Sequence, residues 1–145
     1  MKVVVQKVLS SSVSVNDEVV GKIDKGLMVL VGFTEGDNIS NIDYIVNKIV
    51  NLRIFEDNNG VMNLSLLDVG GAILSVSQFT LYGDCSKGNR PSYVKSLNKD
   101  SAKVLYELFN KRLRDKGVLV EEGIFHADMK VSLINDGPTT IIIEK

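Results

Sequence analysis

One stretch of the sequence, residues 73–81, constrains the fold more than any other. Its β-branched, leucine and aromatic side chains are typical of a buried strand near the middle of a sheet. Gly70 and Gly71 precede this stretch, and a polar loop follows it. Alternate side chains of a strand share a face, so Gln78 and Thr80 would continue a face that starts with apolar residues. The sequence thus predicts a core strand that becomes polar over its last third.

The polar end of this strand needs an explanation. A buried amide or hydroxyl group without a hydrogen-bond partner costs roughly 1–3 kcal/mol. Gln78 and Thr80 must therefore either bond to the protein itself or line a pocket that holds a ligand. The strand alone leaves both alternatives open.

Length and composition indicate the class of protein. With 145 residues, 44% of them hydrophobic, and no apolar run long enough to span a bilayer, the chain is expected to form a single domain over residues 1–145 with no membrane partner. Residues 1–7 lack the small-residue cleavage site of a signal peptide, which favours a cytoplasmic protein. Cys85 is the sole cysteine, so an internal disulfide and a Cys-based zinc site are excluded.

The charge distribution limits the partners. A net charge of −1 argues against a protein that grips a long nucleic-acid backbone, but it allows contact with an RNA end. The polar loop 82–92 carries Lys87 and Arg90, and it is either the basic rim of a site or a solvated loop.

The hydrophobic periodicity predicts an α+β fold. Apolar residues at helical spacing predict one helix from Ser40, capped by Ser40 and Asp43, and another from residue 100 or 101 that stops at Gly117. Strands are predicted at 3–9, 13–15, 19–20, 27–33, 52–55, 61–64, 73–81, 118–120, 129–134 and 140–143. Many short strands with two main helices favour a single domain with a curved, mixed, barrel-like β-sheet.

A second unusual stretch, residues 135–140, lies between the last two predicted strands. It reads Asn-Asp-Gly-Pro-Thr-Thr. Glycine permits a positive φ, and a cis peptide before proline lies only about 0.5–1 kcal/mol above the trans form. The stretch is either an ordinary turn or a loop that presents the carbonyls of Gly137 and Pro138 outward as a rigid acceptor pair.

The usual catalytic groups are missing. His126 is the sole histidine, so any Ser/His/Asp triad would need it, yet it lies in a predicted turn as a surface polar residue. Glu121 and Glu122 are adjacent and do not form a catalytic carboxylate pair. No phosphate-binding glycine loop or metal-ligand cluster is present, and we expect neither metal nor cofactor. Any hydrolysis would rely on positioning and on backbone donors.

Together, the two unusual stretches resemble the signature motifs of the D-aminoacyl-tRNA deacylase (D-tyrosyl-tRNA deacylase) family. One motif is SQFTL at 77–81, and the other is NDGP at 135–138, preceded by MKVSL. Residues 53–55, 62–63 and 90–92 and the chain length also fit, so the resemblance runs end to end.

The resemblance implies a homodimeric editing hydrolase that acts at the CCA 3′ end of tRNA. Such an enzyme cleaves the ester of a D-aminoacyl-tRNA, or of glycine on alanine tRNA, with help from the ribose 2′-hydroxyl. The resemblance assigns catalysis to Ser77, Gln78, Phe79 and Thr80, with backbone amides from 78 to 80 as oxyanion donors.

Chiral selection is assigned by the same resemblance to a second set of residues, namely Lys7, Met129, Asn135, Gly137 and Pro138. The Gly-Pro loop of one subunit would enter the other subunit's pocket, accept the substrate's α-ammonium and crowd an L side chain. Two positions depart from the family pattern. Lys7 stands where an arginine is expected, and His126 where a small residue is expected, so fidelity is affected more than activity.

Two other hypotheses remain at this point. One is a dimeric module that binds a tRNA end without turnover. The other is an esterase that uses Thr80 as its nucleophile, although no adjacent base activates that hydroxyl.

Overall fold

The longest pairing in the sheet joins the two ends of the chain. In the computed structural model, which describes residues 1–145, β1 (Lys2–Val15) runs antiparallel to β8 (Lys130–Glu144). On its other side β1 pairs first with β3 (Gly26–Gly32) and then with β2 (Glu18–Ile23). A single long strand therefore carries two neighbours on one side, which requires the sheet to curve.

The sheet continues from β3 with parallel pairing. β6 (Ala72–Ser77) lies parallel to β3, and β7 (Val120–Glu122) lies parallel to β6. A Cβ on Gly21 of β2 would lie 2.9 Å from the Glu122 carbonyl oxygen of β7, so the sheet folds round almost onto itself. The predicted α+β fold with a curved, mixed, barrel-like sheet is confirmed.

Three α-helices and a small hairpin complete the chain. They are α1 (Ile39–Asn51), α2 (Leu66–Val69), α3 (Lys99–Asp115), β4 (Phe55–Glu56) and β5 (Met62–Leu64). None of the helices combines the length and the apolar character that crossing a lipid bilayer requires.

Both main helices begin earlier than predicted. The residue that caps α1 is Asn38, not Ser40 with Asp43. The Asn38 side chain accepts a hydrogen bond from the Ser40 amide, and the Asn38 backbone amide donates to the Asn41 side chain. Asn98 caps α3.

The core has two layers, one on each face of the sheet. The larger cluster of 21 buried residues lies between the sheet and helices α1 and α3. The smaller cluster of seven includes Leu74 and Val76 of β6, whereas Ile73 of the same strand belongs to the larger cluster. The predicted alternation of β6 is therefore confirmed up to Val76, and β3 is covered on both faces as expected.

Several strand predictions are wrong in extent. The strands predicted at 3–9 and 13–15 are one strand, β1, and those predicted at 52–55 and 118–120 lie at Phe55–Glu56 and Val120–Glu122. Two further differences bear on the site. The central strand ends at Ser77, and a 3-10 helix (Phe79–Tyr82) replaces its predicted last residues. The last two predicted strands are one strand, β8, because pairing with β1 resumes after an irregularity at residues 136–139. In both places, contacts with a distant strand decide the local structure.

Candidate active site

A cavity of about 520 Å³ opens where the carboxyl ends of β3 and β6 meet the start of α3 and the segment after β7. It is lined mainly by apolar side chains, namely Val31, Phe33, Val76, Phe79, Leu97, Ala102, Phe125, Ala127, Met129 and Val131. Its polar lining comes from Ser77, Gln78, Lys99, His126 and Asp128, with Gly32 providing bare backbone. A mostly apolar cleft with a few converging polar groups is the usual form of a small-ligand site.

The chain turns sharply at the end of β6, and this turn forms one wall of the cavity. The Gln78 amide donates to the Val31 carbonyl at 2.7 Å, after which the 3-10 helix begins. The amides of Phe79 and Thr80, at its start, have no acceptor within the helix. The turn can approach β3 this closely because Gly32 lacks a side chain. A Cβ at Gly32 would lie only 2.8 Å from the Gln78 carbonyl oxygen.

The four residues that the resemblance assigned to catalysis differ in their position relative to the cavity. Ser77, Gln78 and Phe79 line the cavity, whereas Thr80 is exposed beside it. The Gln78 side-chain amide donates to the Thr80 hydroxyl, so these polar groups satisfy each other, and of the two only Gln78 also lines the cavity. Both alternatives raised by the sequence are therefore partly realised.

No side chain in the cavity is arranged as a general base for a hydroxyl nucleophile. His126 is exposed, as predicted, and lines the cavity with a positive φ of 65°. It makes no hydrogen bond with Ser77 or Thr80, and the Asp128 carboxylate is held by the Lys130 ammonium at 2.7 Å. The chain has no cluster of three or more His, Cys, Asp or Glu side chains that could hold a metal ion.

The second motif forms a bulge on β8. Gln6 of β1 pairs with Thr140 and Val8 with Asn135, so residues 136–139 stand opposite Lys7 alone. The Gly137-Pro138 peptide is cis, Gly137 has a φ of 114°, and both residues are exposed. The bulge therefore presents main-chain groups away from its own sheet.

Lys7 fixes the base of this bulge. Its side chain is buried, and its ammonium nitrogen lies 3.4 Å from a carboxylate oxygen of Asp136. Beside it, the Gln6 side-chain amide lies 3.5 Å from the Asn135 side-chain oxygen. A charged anchor inside the sheet thus supports an exposed loop.

Within one chain, the predicted site residues fall into two groups. Met129 lines the cavity with the first motif, and its sulfur packs where a Cβ on Gly123 would lie, 2.5 Å away. The other four residues predicted for chiral selection do not line it, namely Lys7, Asn135, Gly137 and Pro138. The basic loop residues Lys87 and Arg90 are also exposed outside the cavity lining.

Sequence reasoning missed the part of the cavity that α3 supplies. Lys99 and Ala102 of its first turns reach the cavity, and Leu97 precedes them. Deeper in the helix, Tyr106 donates to the Ser75 carbonyl of β6 at 2.9 Å and packs on Phe125. Burial raises the pKa of the Tyr106 hydroxyl, which remains a hydrogen-bond donor at neutral pH. The start of α3 lies beside the first motif only because β3, β6 and β7 pair in parallel. This pairing cannot be predicted from the sequence of any one segment.

The loop beyond the first motif is also ordered by its own contacts. Asp84 accepts from the Ser86 amide at 2.9 Å and from the Lys95 ammonium at 3.1 Å. Hydrogen bonds from Ser86, followed by Lys95, hold the pKa of the Asp84 carboxyl well below its usual range. The free thiol of Cys85 is exposed next to it.

Comparison with known proteins identifies the family. The family model described as D-Tyr-tRNA(Tyr) deacylase matches residues 4–144. This chain belongs to that family. The D-aminoacyl-tRNA deacylase of Brevibacillus brevis is 57% identical over 144 residues, which cover 99% of each chain. That of Clostridioides difficile is 54% identical over 99% of this chain and 97% of its own.

The fold of the deacylase family is shared by solved structures. One, described as the c-Myc DNA unwinding element binding protein, is 40% identical, with a TM-score of 0.94 over 100% of this chain and 99% of its own. The resemblance drawn from the two motifs is confirmed, and the chain is an enzyme of this family.

Proposed function

We propose that this enzyme hydrolyses the ester that joins a D-amino acid to the CCA 3′ end of tRNA, acting as a homodimer in the cytoplasm. Glycine esterified to alanine tRNA is a second substrate, because it has no side chain to exclude. One observation carries the proposal: in a chain of the deacylase family, Ser77, Gln78 and Phe79 of the SQFTL motif line a mostly apolar cavity. No cofactor is needed, since an aminoacyl ester is already reactive.

The proposed chemistry relies on the backbone. The carbonyl of the ester would sit against the amides of Phe79 and Thr80, which have no acceptor in the 3-10 helix. Such preorganised donors stabilise the developing oxyanion by roughly 3–4 kcal/mol each. With no protein base near the Ser77 or Thr80 hydroxyls, the ribose 2′-hydroxyl assists the attack of water, and Thr80 orients Gln78 or the water.

Chiral selection would take place across a subunit interface. Gly137 and Pro138 are exposed and do not line their own chain's cavity, so they are free to reach a partner's. β8 pairs only with β1 and leaves its other edge open, and Ile134 and Ile142 expose apolar side chains along it. A second copy docked on this strand would cover these side chains and insert the bulge into the facing cavity.

In that arrangement the carbonyls of Gly137 and Pro138 accept the α-ammonium of the substrate and occupy the space of an L side chain. Lys7 holds the bulge through Asp136, and Asn135 steadies its start through Gln6. Met129, on the cavity wall, contacts the bound aminoacyl-adenosine.

The test compares D-tyrosyl-tRNA with L-tyrosyl-tRNA. We expect release of tyrosine from the D ester only, and much slower release when the terminal ribose lacks its 2′-hydroxyl. Binding without release would favour the RNA-end module instead. Labelling of Thr80 by an active-hydroxyl reagent, with indifference to the 2′-hydroxyl, would favour the esterase with a protein nucleophile.

A further inference from the structure

An exposed aromatic pair stands at the mouth of the cavity. Phe79 is 54% exposed and Tyr93 40% exposed, and their ring centroids lie 5.1 Å apart at an interplanar angle of 67°. Phe79 also lines the cavity, so Tyr93 extends an aromatic surface outward from it. The mechanism proposed above makes no use of Tyr93.

The two rings are held in place by a shared anchor. The Ser96 amide donates to the Tyr93 carbonyl at 2.9 Å, and the Ser96 hydroxyl donates to the Phe79 carbonyl at 3.0 Å. Gly83 leaves room for the Tyr93 ring, because a Cβ there would lie 3.1 Å from a ring carbon. The Tyr93 hydroxyl makes no hydrogen bond within the chain, so the ring is fixed by backbone and packing. A fixed, half-exposed ring is suited to stacking a flat ligand.

The charges around the pair favour a polyanionic ligand. Lys87 and Arg90 of the adjoining loop are exposed and form no ion pair within the chain. Lys95 lies in the same region and forms an ion pair with the carboxylate of Asp84, which is the one acidic residue of the loop. Aromatic rings beside basic side chains are the combination by which proteins bind single-stranded nucleic acid.

We propose that Tyr93, with Phe79, forms a stacking platform for the base that precedes the terminal adenosine of the RNA 3′ end. This inference rests on the proposed function, which places the terminal adenosine ester in the cavity that Phe79 lines. The next nucleotide must then leave through the mouth, where Tyr93 stands. In a CCA end this base is always cytidine, so a single stacking platform would serve every tRNA.

The test uses two D-tyrosyl esters, one of the dinucleotide CpA and one of its analogue with an abasic ribose in place of the cytidine. We expect the intact enzyme to prefer the CpA ester about tenfold in kcat/KM. Tyr93→Leu should abolish this preference, while hydrolysis of the abasic ester stays unchanged. Tyr93→Phe, which keeps the ring, should retain the preference. Tyr44→Ala, which removes an exposed tyrosine of α1, is the matched control and should also retain it.

The binding of uncharged CpA and of adenosine gives a readout independent of hydrolysis. One outcome is that neither ester is cleaved, CpA binds more tightly than adenosine, and Tyr93→Leu removes this difference in affinity. The proposed function then fails, and the stacking platform is supported. An enzyme that cleaves both esters equally, or a Tyr93→Leu variant that keeps the preference, overturns the platform alone. Equal losses on both esters with altered subunit assembly would place Tyr93 in a protein interface and would also overturn it.

Discussion

The ammonium nitrogen of Lys7 lies 3.4 Å from a carboxylate oxygen of Asp136, and this contact joins the interior of the sheet to the bulge of β8. The two partners differ in environment, since the Lys7 side chain is 4% exposed and the Asp136 side chain 35% exposed. Losing one partner is therefore not equivalent to losing the other.

Replacing each partner should show this asymmetry. Asp136→Asn leaves a buried ammonium without an anion, and we expect it to lower the free energy of unfolding by about 2 kcal/mol. Lys7→Met removes the buried charge but keeps much of the side-chain volume, so its cost should stay below about 1 kcal/mol. Urea denaturation of both variants measures the difference. An equal or larger loss for Lys7→Met would contradict the argument.

Gly137→Ala should weaken the discrimination against L-tyrosyl-tRNA. At a φ of 114° an alanine is strained, and its Cβ would lie 2.8 Å from the Thr139 hydroxyl oxygen, so the bulge must shift. We expect the ratio of D-tyrosyl-tRNA to L-tyrosyl-tRNA hydrolysis to fall about tenfold or more. Gly36→Ala is the control, because Gly36 also has a positive φ but lies in open space. An unchanged ratio would remove the bulge from chiral selection.

The same variant tests whether the bulge acts in the partner subunit. Mixed dimers of Gly137→Ala with a chain whose cavity is filled by Ala102→Phe have one open cavity, and it faces an intact bulge. We expect these mixed dimers to reject L-tyrosyl-tRNA as the unmodified enzyme does. If their hydrolysis of the L ester equals that of Gly137→Ala alone, the bulge does not act across the interface.

Thr80→Ala should retain measurable deacylation. The Thr80 hydroxyl accepts a hydrogen bond from the Gln78 side chain and has no base beside it. Its loss should therefore disturb the orientation of Gln78 or of the attacking water without removing the nucleophile. We expect a fall in kcat of about tenfold, with Thr80→Ser close to the unmodified enzyme. Single-turnover kinetics with D-tyrosyl-tRNA give the measurement. Complete loss with an intact fold would restore Thr80 as nucleophile.

Tyr106 should make stability depend on alkaline pH. Burial raises the pKa of its hydroxyl above the ordinary value, so the folded chain holds the phenol proton more tightly than the unfolded chain. The stability that Tyr106 contributes is complete below the unfolded pKa of about 10 and declines as the pH rises through the higher folded pKa.

Tyr106→Phe isolates this contribution. At pH 7 it removes the hydrogen bond to the Ser75 carbonyl, and we expect a loss of about 1 kcal/mol. Above pH 10 the difference in free energy of unfolding between the variant and the unmodified protein should become smaller. Burial raises the pKa of Tyr82 to about 12, but Tyr82 is present in both proteins and cancels in the comparison. A gap that stays constant from pH 7 to pH 11 would contradict the prediction.

Features of the fold that depend on neighbouring residues could be predicted from the sequence, whereas features that depend on distant strands could not. The alternation of Ile73 to Val76 follows from neighbouring residues and was predicted from them. The end of β6 was not, because the Gln78 amide bonds to Val31 of another strand. The periodicity of one segment carries no information about its partner.

The candidate site divides in the same way. The two motifs pointed to the cavity wall and to the bulge for different reasons. The first motif places polar side chains at the end of an apolar strand, and the second contains a Gly-Pro step that permits unusual backbone. Leu97, Lys99 and Ala102 remained hidden, because they enter the cavity only through the packing of α3 against the end of the parallel strands. Their local sequence is that of an ordinary helix start.

Gly32→Ala should damage catalysis more than it damages the fold. A Cβ at this position would lie 2.8 Å from the Gln78 carbonyl oxygen, so the alanine must push the turn that carries the proposed oxyanion donors. Losing one such donor costs about a hundredfold or more in kcat, and we expect a fall of at least tenfold from the displacement.

Gly21→Ala provides the matched control for Gly32→Ala. Its Cβ would meet a backbone oxygen at a similar distance, 2.9 Å from the Glu122 carbonyl, but Gly21 does not line the cavity. Both variants should lose stability by about 1–3 kcal/mol from overpacking, whereas only Gly32→Ala should lose kcat. If the two variants lose kcat equally, the loss reflects strain in the sheet, and the amides of Phe79 and Thr80 would no longer be supported as the oxyanion donors.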